Sequence, residues 1–177
     1  MTASVTEEIE VTAEDHRLAR LAALAVSLMW VDAALPSPLP GVKPGLANIV
    51  TLVVLRRYGF ATAAWVSGLR VVAGSLLFGS FLTPGFMLSV SGASASLLVL
   101  WLAQALPEKW FGAVSLSVLA AFFHIGAQLA VVALWWMPSV NLMPSTPVFA
   151  AAAWIGGVAN GLLAERLLAK EYHAATA

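Results

Sequence analysis

The stretch LPSPLPGVKPGLANIVTLVVLRRYG, Leu35 to Gly59, holds four prolines, three glycines and a lysine, all but Gly59 ahead of a short apolar run. That run holds one asparagine, Asn48, and closes on Arg56 and Arg57. Proline and glycine break regular structure, and a proline is tolerated at the very start of a helix. The stretch therefore reads as a loop leading into a helix. Which solvent that helix meets is decided by the rest of the chain. Of 177 residues, 60% are hydrophobic and 10% are charged, and the mean hydropathy is +0.89. Soluble domains average about 45–50% apolar and about 25% charged residues. The composition is that of an integral membrane protein.

The same composition excludes other classes. With no cysteine there is no disulfide framework and no thiolate metal site. A formal net charge of zero, with no basic tract, makes no electrostatic case for nucleic acid. Residues 1–17 carry Glu7, Glu8, Glu10, Glu14 and Asp15. A secretory signal begins with positive charge, so this segment is read as a short acidic tail.

A bilayer-crossing helix needs about 20 apolar residues. Six runs are bounded by Pro, Gly or charge: 18–35, 46–55, 60–80, 86–106, 111–137 and 147–168. The expected architecture is all-α, a polytopic bundle of six transmembrane helices over residues 18–168, with a short C-terminal tail over 169–177. Lys and Arg in the loops set orientation. With the N-terminus inside, Arg17, Arg20, Arg56, Arg57, Lys109, Arg166 and Lys170 lie in the cytoplasm and Lys43 lies outside. The second run is short, and a re-entrant segment is the rival reading. That five-span alternative puts six cations inside and two outside, against seven and one. Six spans with both termini cytoplasmic is preferred.

Charge within a span is costly and marks a functional hypothesis. Asp32 falls near the outer end of the first run and Arg70 near the middle of the third. They can form an ion pair that fixes packing, or line an outward-facing pocket, or both. His124 and Gln128 are four apart and share a helix face. No second histidine lies in a span, so interhelical hydrogen bonding is expected of His124 and a metal site is not. Asn48 and Asn160 add amides, and Asn160 follows Gly156 and Gly157, where helices can approach closely. Ala19, Ala23 and Ser27 recur every four residues on the first span. Such a small-residue stripe serves ordinary packing or a partner's helix. There is no Asp-rich diphosphate motif, P-loop, GxSxG or HExxH. Neither catalysis nor a cofactor is expected.

The motif PxPLPGxKxGLANIVTL, the arginine of the next span, LSxSG and an HxxxQ helix together resemble the Gx transporter family. That family is often labelled heptaprenyl diphosphate synthase component I and is grouped with the S components of energy-coupling factor (ECF) vitamin transporters. The resemblance runs from Asp32 to Asn160. Asp32 stands where the family tends to have glutamate. Lys43, Gly45, Leu46, Ala47 and Asn48 match KLGLAN, with Pro44 in place of leucine. Arg70 matches the third-span arginine, and Ser89, Ser91 and Gly92 match a SLSGG-like segment. His124 and Gln128 match an HNxGQ-like segment, with Ile125 in place of asparagine. The resemblance implies an S-component-like bundle in the bacterial cytoplasmic membrane that captures a small organic solute. The site would draw on Asp32, Lys43, Asn48, Arg70, Ser89, Ser91, His124, Gln128 and Asn160. An energy-coupling membrane subunit with its ATPases would be the partner, docked on Ala19, Ala23 and Ser27. Two other readings stay open: an accessory subunit of isoprenoid diphosphate synthesis, and a structural subunit without ligand. In the leading reading the proline loop dips toward the membrane, and the following helix presents its N-terminus, Lys43 and Asn48 to an anionic or electron-rich ligand. Alternatively, Lys43 snorkels to the headgroups.

Overall fold

A computed structural model gives the fold and describes residues 11–34, 45–106, 111–139 and 141–176. The described residues form helices α1 (Ala13–Ala34), α2 (Ala47–Leu77), α3 (Pro84–Ala103), α4 (Ala113–Val131) and α5 (Thr146–Thr176). A π-helical turn, Val132–Trp136, extends α4, and a 3₁₀ turn, Met143–Ser145, leads into α5. The regular structure of the described residues is all helical, which lets each segment pair its own backbone groups where lipid offers no partner.

With the two halves of α2 taken separately the described residues hold six helical segments, but not six that are each long and apolar enough to be counted as membrane spans. There are five α-helices among the described residues, and four stretches are long and apolar enough to cross a membrane: Ala47–Leu77, Pro84–Ala103, Ala113–Trp136 and Met143–Lys170. The second and third expected spans are the two halves of α2. Its 31 residues would make a straight rod about 46 Å long, well past the ~30 Å hydrocarbon core. Instead the helix breaks at Gly59, which adopts φ 85° and ψ 177°, a conformation open to glycine. Arg70 Nη1 donates to Asn48 Oδ1 at 2.9 Å. In a straight helix those residues would stand about 33 Å apart, so the two halves fold back on each other.

The first half of α2 lies at the centre of the bundle. Ala47, Ile49, Val50, Thr51, Leu52, Val54 and Leu55 are all buried, covering every side of the helix, as expected for a segment surrounded by protein. Leu100, Ala103, Ala113, Leu116 and Ala164 of α3, α4 and α5 complete the apolar core. Large apolar side chains such as Trp65, Leu76, Trp101 and Ile155 are exposed and form the lipid-facing surface. α4 and α5 approach most closely. A Cβ on Gly157 would lie 2.7 Å from Val118 Cα, and one on Gly161 would lie 2.5 Å from Val114 Cα. These glycines are four apart, the small-residue spacing that lets helix backbones touch.

Arg17, Arg56 and Arg57 collect at one end. Arg17 and Arg57 both lie over the Tyr58 ring, at 5.3 and 5.5 Å. Arg56 Nη2 donates to the Phe111 carbonyl, and Gly112 lies beside the Glu165 carboxylate. The start of α1, the Gly59 bend, the start of α4 and the later part of α5 thus share an end. At the opposite end Trp30 packs against Phe78, ring centroids 5.2 Å apart. α1 begins at Ala13, ahead of the expected span, under a reciprocal cap. Thr12 N donates to Asp15 Oδ2 at 2.8 Å and Asp15 N donates to Thr12 Oγ1 at 3.2 Å.

Candidate functional site

Folding α2 on itself brings polar residues from its two halves face to face. Asn48 and Thr51 are one turn apart on the first half, and Ser67 and Arg70 one turn apart on the second. All four line a cavity of about 30 Å³. Ser96 of α3, Ser117 of α4 and Asn160 of α5 close it. Larger hollows exist, but they are lined chiefly by apolar side chains. One of about 220 Å³ at the basic end is walled by Leu55, Leu100 and Phe111 beside Arg56. One of about 290 Å³ lies against Trp135 and Trp136. The small cavity is the one that gathers buried polar groups, which is costly in a membrane protein and so the stronger sign of a site.

Arg70 is 7% exposed and Thr51 is 6% exposed. Arg70 uses Nη1 on Asn48, while its Nε is buried with no hydrogen-bond partner. Thr51 Oγ1 is likewise buried without one. Asp32 is buried too, and its charge acts on Arg70. Asn160 Nδ2 donates to the Gly45 carbonyl at 3.3 Å, which ties α5 to the residue that opens α2. Gly45 has φ +70°, and a Cβ there would stand 3.2 Å from Asn48 Nδ2. The first turn of α2 therefore sits at the cavity, with no side chain capping it.

A second polar chain adjoins the first. Ser96 Oγ donates to the Ala120 carbonyl at 3.1 Å and lies 3.2 Å from His124 Nδ1. Having spent its hydrogen, the hydroxyl accepts from Nδ1–H. Gln128 Nε2 lies 3.1 Å from His124 Nε2 and donates to the Leu88 carbonyl at 3.2 Å. Its second hydrogen meets the Nε2 lone pair, so hydrogen counting makes His124 a neutral Nδ1–H imidazole. Gly92 leaves room for the ring. The charge of Arg70 reaches His124, so the two polar groups share one field.

Of the expected site residues, Asn48, Arg70 and Asn160 meet at the cavity, Asp32 acts on it as a charge, and His124 and Gln128 reach it through Ser96. Lys43 lies outside the described residues. Ser89 and Ser91 are not brought in. Ser89 is exposed and bonds the Gly85 carbonyl, and Ser91 bonds the Leu88 carbonyl, each on its own helix. No group of three or more metal-ligating side chains occurs among the described residues. Thr51, Ser67 and Ser117 escape sequence reasoning because a lone hydroxyl in an apolar run carries no signal. Ser67 three residues before Arg70 was the available hint.

Residues 21–167 match the family model described as heptaprenyl diphosphate synthase component I. The chain belongs to that family. The match spans every element that builds the cavity. No curated protein and no solved structure matches. Membership in the heptaprenyl diphosphate synthase component I family agrees with the resemblance carried by the GLAN block, Arg70 and the HxxxQ helix. Together with the apolar helices it makes this a membrane protein of that family.

Proposed function

We propose that the protein is a membrane transport protein of the S-component type, capturing a small organic solute at the polar cavity. One observation carries this reading: hydrophilic side chains from α2, α3, α4 and α5 converge on one cavity around a buried arginine. A bundle that needed only stability would be served by apolar side chains. The protein is not itself a catalyst in this reading, and energy comes from a coupling subunit with ATPases. The basic end faces the bacterial cytoplasm, as the excess of Lys and Arg there favours, and both termini lie on that side. Native mass spectrometry of the protein in lipid nanodiscs tests capture. A small molecule retained by wild type and lost in Arg70→Gln supports it; bare protein in both refutes it. Orientation is read separately, since the chain has no cysteine. Ser139→Cys reacts with an impermeant thiol reagent on intact cells, and Lys170→Cys reacts only after permeabilisation. The reverse pattern overturns the assignment.

The family description favours a second reading, an accessory membrane subunit of heptaprenyl diphosphate synthesis. It is distinguished by reconstitution with a soluble prenyl synthase, whose product formation would then rise on adding this protein.

A further inference from the structure

We infer that the cavity receives the carboxylate group of its ligand, held in two-point fashion by Arg70 Nε and by Thr51. The inference rests on the solute-capture reading and names the chemical class of the solute. A guanidinium offers donors along fixed edges. Here Nη1 is committed to Asn48 at 2.9 Å, while Nε is buried with no hydrogen-bond partner. A buried N–H left unpaired costs roughly 1–3 kcal/mol, and that cost is removed when an acceptor arrives. Thr51 Oγ1 is the second buried, unpartnered polar atom on the same cavity. Arg70 and Thr51 are each more than nine-tenths buried, so bulk water does not satisfy them.

Size and charge narrow the acceptor. The cavity of about 30 Å³ takes about two water-sized groups, since one needs at least ~10–15 Å³. Two carboxylate oxygens fit that room, and their spacing matches the fork of a guanidinium edge. A phosphoryl group brings three terminal oxygens and exceeds it. The field is favourable as well. Asp32 offsets Arg70, and the positive end of the α2 dipole lies at the cavity wall, its Asn48 and Ile49 N–H groups bonded to the Gly45 and Leu46 carbonyls. The neutral His124 contributes no competing charge.

The test titrates ¹³C-formate into the full-length protein in lipid nanodiscs, follows ¹³C line broadening and uses empty nanodiscs as the blank. Saturable broadening is expected. Arg70→Lys keeps the charge but removes the fork, and weakens formate binding at least tenfold. Thr51→Val weakens it about fivefold, and formamide, the neutral isostere, does not compete. Absence of saturable binding, unchanged affinity in Arg70→Lys, or equal competition by formamide overturns the proposal. If Arg70→Lys does not fold, Thr51→Val and the formamide competition decide. A retained native ligand without a carboxylate overturns this inference and leaves solute capture standing. Saturable formate binding with no retained or transported solute does the reverse.

Discussion

Gly92 is the seat of His124: a Cβ on Gly92 would lie 2.6 Å from the imidazole Nε2. α3 and α4 can therefore hold a polar ring between them only because position 92 has no side chain. The Ser96–His124–Gln128 chain depends on that gap. Gly92→Ala is expected to push the ring out, break both hydrogen bonds and cost about 1–3 kcal/mol for the stranded groups. Thermal unfolding in detergent reads the loss, and His124→Ala in the same background should restore part of it. An unchanged Tm for Gly92→Ala would show that the ring is not held there.

Arg70 and Asp32 are both buried and act on each other. Removing one charge strands the other, at about 3–5 kcal/mol for a buried partner left alone. Arg70→Gln is expected to lower expression and to weaken ligand binding by about one to two orders of magnitude. Adding Asp32→Asn should restore expression without restoring binding. Recovery of both would make the arginine a purely structural partner of Asp32.

Ala19, Ala23 and Ser27 are exposed on α1. Ser27 Oγ turns back to the Ala23 carbonyl at 2.9 Å, which leaves a smooth, nearly apolar strip. Ala23 and Ser27 border a shallow groove of about 560 Å³ against Ala73 and Leu77 of α2. Ala23→Leu should leave Tm and ligand binding unchanged and reduce uptake severalfold if a coupling subunit docks there. Equal uptake in the variant would show that the strip meets only lipid.

The Thr12 hydroxyl, then its backbone N–H, holds the Asp15 carboxyl below its ordinary value of 3.8. A depressed folded value means that the cap's contribution is present above the unfolded value and lost as pH falls through the folded one. The protection factor of amides at the start of α1, taken relative to the intrinsic exchange rate at each pH, should therefore fall on acidification below the ordinary carboxylate range. In Asp15→Asn that fall should disappear. A pH-independent protection factor in wild type would remove the cap from the account.

Much of this molecule is legible from the chain alone. Length of apolar run settles the membrane class, because backbone groups in lipid must pair within helices. The excess of arginine at one set of loops anticipates the basic end, where Arg17, Arg57 and Tyr58 meet. Arg70, Asn48, Asn160 and His124 stand out because polar side chains are rare in such runs. Other features depend on the tertiary arrangement. Gly59 follows Arg56-Arg57-Tyr58 and reads as an ordinary boundary, yet its positive φ turns one long helix into a hairpin and brings Asn48 to Arg70. Ser67, Thr51 and Ser117 become a site only through that juxtaposition, as does the unpartnered Arg70 Nε. Periodicity reports which face of a helix is polar. It does not report which faces meet, because that depends on where close backbone approach is allowed, as at Gly157 and Gly161 against α4.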